Sequence, residues 1–151
     1  MLNGISKILT GDMLKVISDM GHGDVLILAD ANFPGDTIAK YTTHGRLIRC
    51  PGVSVSDVYE AISDLFPLDV AYSEYPIAVM ELTNEDKARK MPEPATWYDY
   101  EMILQRKYKN THLHKIERFS FYEAAQKAYA VIQTGEERQY GNLLLVKGCV
   151  L

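Results

Sequence analysis

The sequence is poor in the features that tie a chain to a membrane, a metal, a disulfide framework or a nucleic acid. It has two cysteines in 151 residues, Cys50 and Cys149, far apart and without a Cys-x-x-Cys spacing, so both are expected to be reduced and structural. No apolar run approaches the roughly 20 residues that span a bilayer. The opening "MLNGISKILTGDML" lacks the basic-then-apolar profile of a secretory signal, and a cytoplasmic location is the expectation. With 16 basic residues against 20 acidic ones the net charge is -4, the wrong sign for a nucleic-acid footprint. The one dense basic stretch, "RKYKN" from Arg106, follows Asp99 and Glu101 and reads as the solvated end of a helix. His44, His112 and His114 form no ligand spacing with a carboxylate, so no metal site is expected. A P-loop, a nucleophile elbow, internal repeats and low-complexity segments are missing as well.

What is present is an ordinary globular composition, 47% hydrophobic and 24% charged, at a length that buries a proper core as one domain over residues 1–151. Met13, Val16, Ile17 and Met20 recur at helical spacing, with Thr10 as cap and Gly21 as stop. Val25 to Ala29 is a continuous apolar run, which suits a strand covered on both faces, and Asp30 stands at its carboxyl end. Residues 31–45 read as a long loop, and 46–50 as a short strand. Residues 53–66 form a helix with Ser54 and Asp57 at capping-box spacing. A strand over 76–82, a charged excursion over 84–94, a helix capped at Thr96 and a strand-like "HKIERF" follow. "SFYEAAQKAYAVIQTGE" carries Ser120 and Glu123 as a second capping box and predicts one helix ended by Gly135, before a last apolar strand after Tyr140-Gly141-Asn142. Alternation of this kind predicts a three-layer α/β domain, with helices on both faces of a mostly parallel central sheet. In such sheets ligands gather outside the carboxyl ends of the strands.

Several residues then carry candidate chemistry. His22 lies in the glycine-flanked "MGHGD" turn, and an imidazole exchanges protons around neutral pH; the bland alternative is a histidine binding the last carbonyls of the preceding helix. Asp30 can orient or deprotonate a hydroxyl, or can simply close an Asx turn. Arg118 sits where a strand meets a helix and can reach a polar ligand, or be an ordinary exposed arginine. Tyr140 and Asn142 flank Gly141 with a phenol and an amide suited to sugar hydroxyls, although Gly-Asn is also common turn chemistry. Trp97, Tyr98 and Tyr100 can offer a face to a sugar ring or anchor a helix to the core.

Taken together, "GHGDVLILADANFP", "ERFSFYEAAQKAYAVIQTGE" and "YGNLLLVKG" resemble the D-ribose pyranase and L-fucose mutarotase family. The Gly-His-Gly-Asp form, Arg118 before "FSFYE" and Gly141 in Tyr-Gly-Asn are similar to the L-fucose mutarotase branch, while the stretch from Thr83 to Tyr108 is less typical. The resemblance implies a ribose pyranase-like fold and a cofactor-free isomerase that interconverts sugar anomers through the open-chain aldehyde. It implies His22 as proton donor and Asp30 as the group that holds or deprotonates a hydroxyl. Arg118, Tyr140 and Asn142 would bind the sugar, with Gly141 allowing close approach. It further implies a homo-oligomer, a decameric ring or a smaller assembly, with sites near subunit boundaries. Two other readings stay open: a ribose pyranase or mutarotase for another sugar, and a non-catalytic monosaccharide-binding protein.

Overall fold

The computed structural model describes residues 2–150. Its centre is a six-stranded sheet built from β1 (Val25–Ala29), β2 (Ile48–Cys50), β3 (Ile77–Met80), β4 (His114–Ile116), β5 (Ala130–Thr134) and β6 (Leu143–Val146), in the order β2-β5-β1-β6-β3-β4. The pairs β1/β5, β2/β5 and β3/β4 are parallel, and β6 alone runs antiparallel, between β1 and β3. The sheet is therefore mostly parallel, as the alternation of elements predicts.

Successive side chains of a strand point to opposite faces, and β1 shows the consequence. Leu26 and Leu28 join one core with Met13, Val58, Ile62, Tyr100 and Leu104. These come from α1 (Gly11–Asp19), α3 (Val55–Ile62) and α5 (Ala95–Gln105). Ile27 and Ala29 join a second core on the opposite face with Phe33, Ile38, Phe121 and Ala125. These belong to the loop after β1, to α2 (Gly35–Ala39) and to α6 (Arg118–Gln126). Two cores on two faces make the three expected layers. The remaining helix, α4 (Asn84–Ala88), buries none of its residues.

Several local expectations hold. Thr10 caps α1 by accepting from the Met13 N–H at 3.3 Å, and Ser54 and Asp57 form the reciprocal capping box of α3. Others are corrected. The single helix expected from Ser120 to Gly135 is a helix and a strand: α6 ends at Gln126, and Ala130–Thr134 is β5, fully buried and parallel to both β1 and β2. Its cap is Glu117, whose carboxylate accepts from the Phe119 and Ser120 N–H groups at 2.8 and 3.0 Å, and not Ser120. "HKIERF" is accordingly strand only as far as Ile116. Helix α5 begins one residue before Thr96, which is buried inside it with its hydroxyl unpaired. The loop over 31–45 contains α2, and the excursion over 84–94 contains α4. Among the described residues, no helix is long and apolar enough to cross a membrane.

Candidate active site

Asp30 ends β1 and is 4% exposed. Its backbone N–H donates to Asn142 Oδ1 at 2.8 Å, and Asn142 Nδ2 donates back to Asp30 Oδ2 at 2.9 Å. The other carboxylate oxygen accepts from the Asn32 N–H at 3.0 Å. One oxygen thus closes the expected Asx turn, and the other is held by the Asn142 amide. Burial pushes the carboxyl of Asp30 above the usual aspartate range, the neighbouring charge of Glu136 adds to this, and the backbone N–H groups of Asn32, Gly141 and Phe33 oppose it.

The antiparallel pairing of β6 with β1 is what brings Asn142 to Asp30, since the residue before Leu143 and the residue after Ala29 share one sheet edge. Next to them Tyr140 adopts φ +59°, a left-handed conformation that costs a bulky residue on the order of 1–3 kcal/mol. Helix α5 holds that turn in place: Trp97 Nε1 donates to the Tyr140 carbonyl at 3.2 Å, and the Tyr100 hydroxyl donates to the Gly141 carbonyl at 2.6 Å. The aromatic run of α5 therefore anchors the site from behind, and only Tyr98 points to solvent, 69% exposed.

Arg118, the first residue of α6, lies with its guanidinium 5.8 Å from the centre of the Tyr122 ring. Tyr122 stacks on Phe33 in turn, with centroids 5.6 Å apart. Asp30, Phe33, Met80, Arg118, Tyr140 and Asn142 all line one cleft of about 380 Å³. That volume suits a monosaccharide, and the lining offers a carboxylate, an amide, a phenol and a guanidinium around apolar walls.

His22 is elsewhere. It precedes β1 whereas Asp30 follows it, so a rise of roughly 3.3 Å per residue sets the two on opposite sheet edges, on the order of 20 Å apart in one chain. The turn depends on Gly23 at φ +84°, whose N–H donates to the Lys147 carbonyl at 2.8 Å. The last carbonyls of α1 are taken by the Lys147 ammonium, which donates to Ile17 O and Met20 O at 2.5 and 2.7 Å. His22 is left with a different partner: Nε2 lies 3.1 Å from Asp69 Oδ2, with the carboxylate side chain 6% exposed and the imidazole 44% exposed. Tyr72 meets the ring edge-on at 5.5 Å.

The family model described as the RbsD / FucU transport protein family matches residues 3–150. The chain is 46% identical over 148 residues to the fucose mutarotase of Homo sapiens, covering 97% of this chain and 93% of that protein. It is 36% identical over 149 residues to the L-fucose mutarotase of Histophilus somni, covering 98% and 96% respectively. Among solved structures, a fucose mutarotase in complex with L-fucose from Streptococcus pneumoniae superposes with a TM-score of 0.86 at 35% identity, covering 99% of this chain and all of that one. The chain belongs to the RbsD/FucU family. The Bacillus subtilis RbsD complexed with D-ribose, at 20% identity and a TM-score of 0.69, shares the fold.

In this RbsD/FucU family member the cleft gathers Asp30, Arg118, Tyr140 and Asn142 and leaves His22 outside it, while Gly141 packs behind the lining, against Glu136, Arg138 and Asp30. Sequence reasoning passed over Asp69, which stands behind His22, and Glu136, whose buried carboxylate is held by Arg138 through two bonds of 2.8 Å beside Asp30. Asp69 follows "LFPL", a stretch with no period or motif to mark it, whereas Glu136 directly follows Gly135, which reads in sequence as a helix stop. Among the described residues, no three His, Cys, Asp or Glu side chains converge as metal ligands.

Proposed function

We propose that this protein is an L-fucose mutarotase, an isomerase that interconverts the α and β anomers of the free sugar by opening and reclosing its ring, in the cytoplasm. The observation that carries the reading is the cleft of Asp30, Arg118, Tyr140 and Asn142, set in a chain that resembles proteins named fucose mutarotase over nearly its whole length. Ring opening breaks the bond between the anomeric carbon and the ring oxygen. A proton reaches the ring oxygen as another leaves the anomeric hydroxyl. Positioned acid and base groups supply about 10² to 10⁴ in rate for such steps. Asp30 receives a hydroxyl, Asn142 fixes the carboxylate, Arg118 binds sugar oxygens, and Gly141 lets the turn that carries Tyr140 and Asn142 pack close against Asp30 and Glu136.

The acid is His22, and it reaches the cleft from a second copy of the chain. A single cleft has no imidazole of its own. On the opposite sheet edge His22 is exposed with Tyr72, itself 80% exposed, edge-on against its ring, and Val70, next in the chain after Asp69, is 46% exposed. Phe119, which follows Arg118 in α6, is 76% exposed. Two exposed apolar patches at opposite edges suit a head-to-tail contact that closes into a ring, a decamer being one such assembly. Asp69, 3.1 Å from Nε2, then orients the imidazole.

Saturation-transfer NMR of L-fucose anomers tests the activity, with wild type, His22→Ala and a protein-free control. Acceleration above spontaneous mutarotation is expected of wild type, with a loss of at least about tenfold in His22→Ala. L-Fucose binding without acceleration would make the protein a sugar binder, and faster exchange of D-ribose than of L-fucose would make it a pyranase.

A further inference from the structure

Helix α4 poses a physical question. It is five residues long, buries nothing, and lies on the surface without an apolar anchor. Its start is nevertheless tightly built. Thr83 Oγ1 accepts from the Asp86 N–H at 3.2 Å and donates to Asp86 Oδ2 at 2.9 Å. That same Asp86 oxygen also accepts from the hydroxyl of Tyr140, more than fifty residues away in the chain, while the Thr83 N–H donates to the phenol oxygen at 3.2 Å. The first turn of α4 is thus a socket for one phenol, and that phenol lines the cleft.

A phenol has one proton and two lone pairs. The proton of Tyr140 goes to Asp86 and one lone pair to Thr83. One lone pair remains. Trp97 holds the backbone of Tyr140 at φ +59°, and the bonds to Asp86 and Thr83 hold the ring's hydroxyl end.

We propose that Asp86 is a positioning residue of the sugar site: by taking the phenol proton of Tyr140, it makes that phenol a hydrogen-bond acceptor toward a sugar hydroxyl. The inference rests on the mutarotase reading and adds a polarity to it. An acceptor at this wall suits a hydroxyl that must release its proton when the ring opens, and a carboxylate behind the phenol enriches the oxygen in electron density. Hydrogen bonds from the Tyr140 and Thr83 hydroxyls, with the charges of Arg89 and Arg118 adding, hold the Asp86 carboxyl below the usual aspartate range, which keeps it ionised and accepting at neutral pH. Without Asp86 the phenol proton is free to turn into the cleft, and the wall becomes a donor.

The test is a double-mutant cycle read by L-fucose exchange, with Asp86→Ala, Asp86→Asn, Tyr140→Phe and the double variant Asp86→Ala/Tyr140→Phe. Asp86→Ala and Tyr140→Phe should each lower kcat/KM about tenfold, and the double variant should be no slower than Tyr140→Phe alone, because the coupling runs through one hydroxyl. Asp86→Asn keeps an acceptor oxygen and should recover to within about threefold of wild type. Thermal melts of each variant separate this from loss of the α4 cap. If wild type accelerates exchange and Asp86→Ala either keeps the full rate or costs the same factor in the Tyr140→Phe background, the proposal falls and the mutarotase reading stands. If wild type does not accelerate exchange, both fall.

Discussion

Replacing Gly141 with alanine adds one carbon where the surroundings have no space for it. That carbon would stand 2.8 Å from Glu136 Cγ, 3.0 Å from Arg138 O and 3.2 Å from Asp30 Cβ. The first neighbour cannot swing aside, because Arg138 grips the Glu136 carboxylate through Nε and a terminal nitrogen, each at 2.8 Å. The second is backbone. Relief must come from moving Asp30 or from lifting the turn away from α5, which stretches the 2.6 Å bond from Tyr100 to the Gly141 carbonyl. Overpacking of this kind costs about 1–3 kcal/mol, and at about 2–4 °C per kcal/mol for a domain of this size the Tm should fall by about 2–12 °C. Displacing Asp30 from Asn142 should also slow L-fucose exchange by about tenfold or more, since small misplacements at a reacting centre are costly. Calorimetry and anomer exchange on the same preparation measure both. An alanine variant with wild-type Tm and wild-type rate would refute the packing argument and the claim that Asp30 works from this position.

Three further outcomes are expected. Asp69→Asn should reduce exchange toward the level of His22→Ala, because the buried carboxylate 3.1 Å from Nε2 is what orients the imidazole; an unchanged rate would make Asp69 a bystander. Burial raises the Asp30 pKa in the fold, so its contribution to stability is full below the unfolded value near ~3.9 and is lost as the pH rises through the folded one. Activity needs the carboxylate and runs the other way, with an acid limb above the ordinary aspartate range that disappears, together with the activity, in Asp30→Asn; pH titrations of Tm and of exchange follow both. Lys147→Met strips the Ile17 and Met20 carbonyls of their donor and should cost about 1–3 kcal/mol in denaturant unfolding.

The parts of the fold that could be read from residues alone are those where one periodicity dominates. The apolar run of β1 announces a strand buried on both faces, and Ser54 with Asp57 announces the start of α3. The failure at residues 120–135 has a physical cause. Alanine is a strong helix former, and "EAAQKAYAVIQ" continues the pattern of α6 without a break. Yet at Ala130 the small side chain, followed by Val131 and Ile132, lets a strand pack between two helical layers, and tertiary burial overrides propensity. Helices α2 and α4 escaped because five residues are too few to show a period. Asp30, Arg118, Tyr140 and Asn142 could be named as candidates from motifs and resemblance, but that they line one cleft could not. That Asn142 meets Asp30 depends on the antiparallel β6, and that His22 does not depends on a strand lying between them. Asp86 carried only the Thr83-x-x-Asp86 capping spacing, which announces a helix start and says nothing of Tyr140.

If each site is completed between two copies of the chain, mixing two inactive subunits restores activity. His22→Ala and Asp30→Asn should each be nearly inactive alone. Unfolded together in equal amounts and refolded, they should recover about a quarter of wild-type exchange, the fraction of head-to-tail contacts that pair an intact His22 with an intact Asp30 in random assembly. Mixed assemblies that form, as seen by mass spectrometry, yet stay as inactive as their parents would contradict the account.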